Sequence, residues 1–335
     1  MRRFDYVRAS GVAEAIATHA QTADTVYLAG GTTLLDLMKL DVMRPARLVD
    51  IHKLPLDRIE RLGDGRVRIG AMVTNTELAR DDHVRAAYPV LSQALLSGAS
   101  TQLRNKATTA GNILQRVRCG YFRDGISPCN KREPGSGCAA VGGLNRNVHA
   151  VLGGSDQCFA AHPSDMCVAM AAIGATVHVQ GPNGARDINF ADFHLLPGAT
   201  PWKEHALEAS EMITQVTLDA PLARSRSAYL KLRDRASYQF ALASSAVIVV
   251  LDGNTIRDAR VALGGVGTKP WRANDAEDVL RGKTATEAVF RKAAAAAMHG
   301  AKSYGQNGFK IALGQQAVVR NLTTLVADES NGRTA

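Results

Sequence analysis

All five cysteines of this 335-residue chain, Cys119, Cys129, Cys138, Cys158 and Cys167, fall within 49 consecutive residues. A chain of this length buries enough apolar surface to fold without disulfide staples, so cysteines gathered in one segment call for a local cause. The segment is also irregular. Between about residues 116 and 160 helical and strand periodicity both stop, Pro128 and Pro134 interrupt, and eight glycines lie between Cys119 and Cys158. Long structureless stretches inside compact domains are uncommon and usually functional. This one reads as a loop held by something other than an apolar core.

The flanking sequence is regular. Residues 1–60 read as a small α/β unit: a polar opening, an Ala-rich helical stretch at 11–19, a short strand at 26–28, the turn Ala29-Gly30-Gly31-Thr32-Thr33, helical spacing of Leu34, Leu35, Leu37 and Met38, and a strand at 47–51. Residues 66–69 open a new sheet after the turn Gly63-Asp64-Gly65. The spacing predicts one helical stretch over 74–96 with Thr74 or Asn75 as its cap, a helix over 163–173 capped by Ser164, and a hairpin at 176–180 entering Pro182-Asn183-Gly184. Past Pro221 three antiparallel strands are expected at 229–232, 245–251 and 256–263, followed by Ala-rich helices over 273–327. The fold class is therefore α+β. The first domain is expected over 1–222, with subdomains of about 1–60 and 61–222 and the cysteine segment inserted in the second; the C-terminal domain, a three-stranded antiparallel sheet with a helical bundle, is expected over 223–330.

Composition excludes some classes. The best apolar run, residues 166–177, has 12 residues, short of the roughly 20 a spanning helix needs. Asp5, Arg8 and Glu14 interrupt any signal-peptide pattern, so no export signal of the chain's own is expected. Forty Lys and Arg against 31 Asp and Glu leave a formal charge of +9, which suits nucleic acid, a phosphorylated ligand or an acidic partner alike.

Glycines between a strand and a helix start let backbone amides approach an anion closely. Ala29 to Thr33 supply one such turn, and Thr108-Thr109-Ala110-Gly111-Asn112 a second, so the pair is able to hold the two phosphates of one dinucleotide. Neither fits GxGxxG, and no P-loop pattern exists, so a Rossmann or P-loop site is excluded. Each turn alone reads equally as a plain turn.

Taken together, three motifs go further. The run from Leu28 to Lys39 (LAGGTTLLDLMK), Thr108 to Ile113 (TTAGNI) and His162-Pro163-Ser164-Asp165-Met166 resemble the FAD-binding subunit of the xanthine dehydrogenase and carbon monoxide dehydrogenase family of molybdenum hydroxylases, and Lys231 to Arg235 (KLRDR) with Gly264-Gly265-Val266 resembles its C-terminal domain. Within that family the chain is similar to the subgroup whose FAD subunit carries an extra iron-sulphur cluster, as in periplasmic aldehyde oxidoreductases. Asn112 and Ser164 stand 52 positions apart, where ordinary members have few intervening residues. The resemblance implies a two-subdomain, PCMH-type FAD-binding domain. It also implies that Leu28, Ala29, Gly30, Gly31, Thr32, Thr33, Leu34 and Leu35 wrap the pyrophosphate, that Thr108, Thr109, Gly111 and Asn112 complete the cradle, that Asp165 accepts from ribose hydroxyls, and that Lys231 and Leu196 lie near the isoalloxazine. Read without the resemblance, Asp165 is a first-turn carboxylate on a helix dipole and Lys231 an exposed strand lysine.

The cysteine spacings contain no C-x(2 to 4)-C knuckle, which disfavours structural zinc, whereas a [4Fe-4S] cluster takes thiolates from any spacing a loop permits. Cys119, Cys129, Cys138 and Cys158 lie in the irregular segment; Cys167 lies inside an apolar helical stretch, where a free cysteine behaves as a small core residue. Arg118, Arg123, Lys131 and Arg132 offset thiolate charge or form a solvated face. His149 and His162, which flank the loop, are expected to be structural. By resemblance, the chain is an electron-transfer subunit that works with a molybdopterin-binding large subunit, where an aldehyde is oxidised, and a small subunit carrying two [2Fe-2S] clusters; electrons then leave FAD for an external acceptor. Its compartment is expected to be periplasmic by co-export with a partner, or cytoplasmic. The competing reading is a zinc-stapled, basic nucleic-acid-binding protein, against which stands the lack of a stacking platform beyond Tyr121 and Phe122.

Overall fold

Three apolar faces in the sequence become three sheets in a computed structural model of the chain, which describes residues 1–327. Strands β1 (Asp5–Arg8), β2 (Thr25–Leu28) and β3 (Arg47–Asp50) form a parallel sheet in the order β1-β3-β2, with helices Val12–Ala20 and Leu34–Lys39 as its connections. β1 occupies the stretch read as a polar opening. It is an edge strand, fixed by β3 and by Tyr6 and Arg8, which donate to Asp50 Oδ2, and such strands keep little of the apolar pattern that marks a buried one.

The second sheet holds β4 (Ile59–Arg61), β5 (Val67–Gly70), β6 (Ala175–Gly181), β7 (Gly184–Asn189) and β8 (Met212–Leu218), in the order β4-β5-β8-β6-β7 with antiparallel neighbours. Between β5 and β6 the chain makes a long excursion, and that excursion carries the second glycine turn, the cysteine segment and the helix Asp165–Ile173. The helical stretch expected over 74–96 is three helices, Asn75–Arg80, Asp82–Ala87 and Pro89–Ser97. Asp81 leaves helical geometry and its carboxylate accepts from Val84 N at 2.9 Å, starting the second helix; Pro89, lacking an amide hydrogen, starts the third. Thr74 caps the first in a capping box with Glu77.

In the C-terminal region β9 (Ser225–Leu232), β10 (Ala243–Asp252), β11 (Thr255–Gly264) and β12 (Trp271–Arg272) form an antiparallel sheet in the order β12-β11-β10-β9. It has four strands rather than three, because the two-residue β12 is too short to leave a periodic signal. Helices Asn274–Leu280, Glu287–Ala297 and Phe309–Ala327 cover one face, where Phe290, Ala294, Val318 and Leu322 pack on Val247, Val249, Val261 and Leu263. Ala246, Ile248 and Ala262 point the other way, into the core shared with the helix Asp165–Ile173. With both faces covered, β10 shows no polar alternation over its first seven residues. The expected C-terminal domain extends to residue 330; residues 328–330 lie outside the described residues. Among the described residues no helix is long and apolar enough to cross a membrane.

Candidate functional site

The two glycine turns meet. A Cβ on Gly30 would lie 1.8 Å from Lys106 O, so only glycine lets the first turn lie against residues 106 and 107, which lead into the second. Gly31 holds φ at +72°, a left-handed backbone that side chains other than glycine disfavour. The amides of Gly31, Thr32 and Thr33 make no hydrogen bond among the described residues. Residues 28–36 are all half-buried, apolar Leu28, Ala29, Leu34 and Leu35 among them.

The second turn is built differently. Thr109 N donates to Val73 O at 2.9 Å, Ala110 N to Ala71 O at 3.1 Å and Gly111 N to the Thr108 hydroxyl at 3.2 Å, while the Thr109 hydroxyl donates to Val73 O at 3.0 Å. Thr108 and Thr109 are buried residues whose hydroxyls help hold the turn. Gly111 and the Asn112 side chain remain on the open face.

That face belongs to a cleft of about 520 Å³. Of the expected residues, Thr32, Thr33, Gly111, Asn112, Asp165 and Lys231 line it. Leu196 does not; it is 48% exposed and stands beside Gly153, near Thr268 and Trp271. The cleft also gathers residues that sequence reasoning gave to other tasks or passed over, chiefly Asn75, Arg104, Arg118, Arg123, Tyr238 and Phe240. Arg123 Nη2 donates to Asp36 Oδ2 at 2.7 Å and Arg118 Nη1 stands 3.6 Å from the same oxygen, so two guanidiniums share one carboxylate. Burial and the neighbouring Arg123 push the Arg118 pKa down to about 10. Arg118 Nε, Arg123 Nη1 and Asn75 Oδ1 are buried without a hydrogen-bond partner. Unpaired cationic donors beside free amides suit an anionic ligand, since buried donors left unmatched are costly. The signal for Arg118 and Arg123 was present in the sequence, but their nearness to Cys119 pointed to the cysteines.

At the other wall the carboxylate of Asp165 accepts from Tyr229 OH at 2.6 Å and Lys231 Nζ at 2.7 Å, and Lys231 also donates to Ser97 O at 3.1 Å. The Lys231 side chain is 3% exposed and Asp165 8%. This overturns the picture of an exposed strand lysine. Asp165 and Lys231 therefore face the same stretch of the cleft.

The cysteine segment has one short helix, Gly120–Arg123, and, contrary to expectation, a small apolar cluster: Leu37, Val117, Phe122 and Ala160 pack with Cys119, Cys129 and Cys158. These apolar residues are scattered in sequence and carry no period. Polar braces do the rest. Arg132 donates to the carbonyls of Tyr121, Phe122 and Ser127, Lys131 pairs with Glu204 at 3.0 Å and donates to Pro201 O, and Asn145 donates to Tyr304 O at 2.7 Å. Lys131 and Arg132 thus hold the loop rather than form a solvated face.

Cys119, Cys129, Cys138 and Cys158 are unpaired and line one small cavity. Burial pushes the Cys119 thiol up to about 12, against the pull of the Phe122 and Tyr121 amides; Cys138 is raised likewise by burial against the amides of Ala140 and Val141, and Cys158 by burial against Lys131 and the Ala160 amide. Each of these three sulphurs thus has amides or a cation beside it that oppose the effect of burial. No three of the four loop sulphurs come within 4.8 Å of one another, as the described residues that meet that limit are His162, Cys167 and His194. A single zinc, with Zn–S about 2.3 Å, needs tighter convergence.

Cys167 is fully buried in the core, with Ser164 its side-chain partner. Its neighbours His162 and His194 are buried with it: His194 Nε2 bonds Ile113 O at 3.0 Å and His162 Nδ1 accepts from Ser164 N, while His194 Nδ1 and His162 Nε2 have no hydrogen-bond partner among the described residues.

Gly30→Ala is expected to force the two turns apart at a cost of about 3 kcal/mol or more. Equilibrium dialysis against FAD, with urea unfolding of the same protein, checks this; unchanged retention and stability would show that the turns need not touch.

Residues 2–221 match the family described as the FAD binding domain in molybdopterin dehydrogenase, and residues 227–324 the CO dehydrogenase flavoprotein C-terminal domain. The chain is 48% identical over 329 residues, 98% of each chain, to the aldehyde oxidoreductase FAD-binding subunit PaoB of Escherichia coli. It is 29% identical to the carbon monoxide dehydrogenase medium chain of Hydrogenophaga pseudoflava, over 88% of this chain and 86% of that one. A solved structure of carbon monoxide dehydrogenase from Hydrogenophaga pseudoflava superimposes with a TM-score of 0.76, covering 97% of this chain and 98% of the other.

Proposed function

The chain belongs to the FAD-binding subunits of the molybdenum hydroxylases, the aldehyde oxidoreductase and xanthine dehydrogenase family, and on that premise we propose that it is the electron-transfer subunit of a heteromeric aldehyde oxidoreductase, with FAD in the cleft and a [4Fe-4S] cluster among the four loop thiols. The observation that carries this reading is an adjacency: Arg118, a cation of the cleft wall whose Nε has no hydrogen-bond partner, is followed directly by Cys119 of the thiol set. Bound FAD supplies two-electron acceptance and a cluster single-electron transfer, which together join one-electron carriers to an external acceptor.

The chain's own residues would do the holding. Gly31, Thr32 and Thr33 offer amides to a pyrophosphate, Arg118 and Arg123 balance its charge, and Gly111 and Asn112 close that end. By resemblance Leu28, Ala29, Leu34 and Leu35 would lie along the pyrophosphate, though they do not line the cleft, and Asp165 with Lys231 would orient polar groups of the ligand. Cys119, Cys129, Cys138 and Cys158, which line one cavity, would bind the cluster. The remaining subunits would be a large molybdopterin-binding chain and a small [2Fe-2S] chain, in a heterotrimer that is periplasmic through a partner's export or else cytoplasmic.

Purified protein tests the reading. Flavin absorbance near about 450 nm together with about four iron atoms per chain is expected. Stoichiometric zinc without flavin would overturn it.

A further inference from the structure

His149 Nε2 lies 3.3 Å from Cys119 Sγ, and both groups are buried. The ring is held on several sides: His149 bridges to Ala160 across a short backbone pairing, its ring lies 5.3 Å from that of Phe159, and Phe159 stacks on Tyr304 at 4.3 Å. Its other nitrogen, Nδ1, is buried without a partner. The imidazole carries a proton on at least one ring nitrogen. A thiolate bound to iron only accepts hydrogen bonds, so beside it the proton belongs on Nε2.

Resting on the cluster reading above, we propose that His149 is a positioning residue whose Nε2–H donates to the Cys119 thiolate and raises the reduction potential of the centre that Cys119 holds. Around the Cys119 sulphur stand the Tyr121 and Phe122 amides as well as His149. Hydrogen bonds to a ligating sulphur draw off negative charge, which stabilises the reduced, more anionic cluster relative to the oxidised one. Because Arg118 precedes Cys119 and lines the cleft, this tuning acts on the thiol nearest in sequence to the flavin site.

The test uses the full-length protein as purified, in wild-type, His149→Leu and His149→Gln forms, with iron content and an electron paramagnetic resonance redox titration of the cluster. Gln keeps a donor on a flexible chain; Leu keeps only bulk. The expected result is wild-type iron in all three, with the Leu midpoint lower by about tenfold in the oxidised-to-reduced ratio, 59 mV for one electron, and the Gln midpoint moved back toward wild type. Leu protein with full iron and an unmoved midpoint overturns the proposal, as does equal loss of iron from both variants, which would make the ring's shape its role. A wild-type protein that binds no iron overturns the cluster reading itself, a separate failure visible before any variant is made.

Discussion

Replacing Cys158 by Ser is expected to cut bound iron from about four atoms per chain to below one and to remove the broad visible absorbance of a cluster while leaving the flavin bands. Replacing Cys167 by Ala is expected to change neither. The contrast follows from where each sulphur sits. Cys158 lines the cavity shared with Cys119, Cys129 and Cys138, and has Lys131 and the Ala160 amide disposed to favour its thiolate. A serine hydroxyl there is a harder, shorter ligand that gives up its proton far less readily. Cys167 is part of the core helix Asp165–Ile173, where burial pushes its thiol up to about 12 and shrinking it to Ala costs about 1 kcal/mol. Iron analysis and visible spectra of the two variants decide the matter; iron lost with Cys167→Ala and kept with Cys158→Ser would show that the ligand set is wrong.

How much of this was legible in the sequence varies with how local the physics is. Thr74 and Ser164 announce their helices because a cap is a contact between residues three apart. The break at Asp81 was legible in principle, yet apolar spacing ran on past it and outweighed a single aspartate. The first glycine turn was legible as a strand-to-helix turn, because its glycines and the flanking apolar spacing are local. The second was legible as a turn, but nothing local reveals that Val73 and Ala71, from a strand end more than 30 residues earlier, take up the amides of Thr109 and Ala110. Arg118 and Arg123 were seen as neighbours of a cysteine in sequence; in space they turn to Asp36, more than 80 residues away, and so to the cleft. The contact between Asp165 and Lys231 joins two regions separated by 66 positions. Motif resemblance named both residues, but only the fold shows that they touch.

That contact supports the second large effect. Asp165→Ala is expected to lower stability by about 3–5 kcal/mol, because it leaves a buried ammonium facing no counter-charge. Lys231 would retain only Ser97 O at 3.1 Å, and the Tyr229 hydroxyl would lose its acceptor as well. Urea unfolding of the flavin-free protein measures the loss, and flavin retention on gel filtration should fall with it. Adding Lys231→Met to Asp165→Ala should restore part of the stability, since an apolar side chain of similar length tolerates burial where an unpaired cation does not. A double variant no more stable than Asp165→Ala would show that the pair's charges are uncoupled and that the loss came from packing alone. Recovery of stability without recovery of flavin retention would separate the two roles the pair combines. An apolar pair would serve the core as well, so the reason to keep a desolvated ion pair here lies on its open side, where Asp165 and Lys231 present fixed polar groups to the cleft.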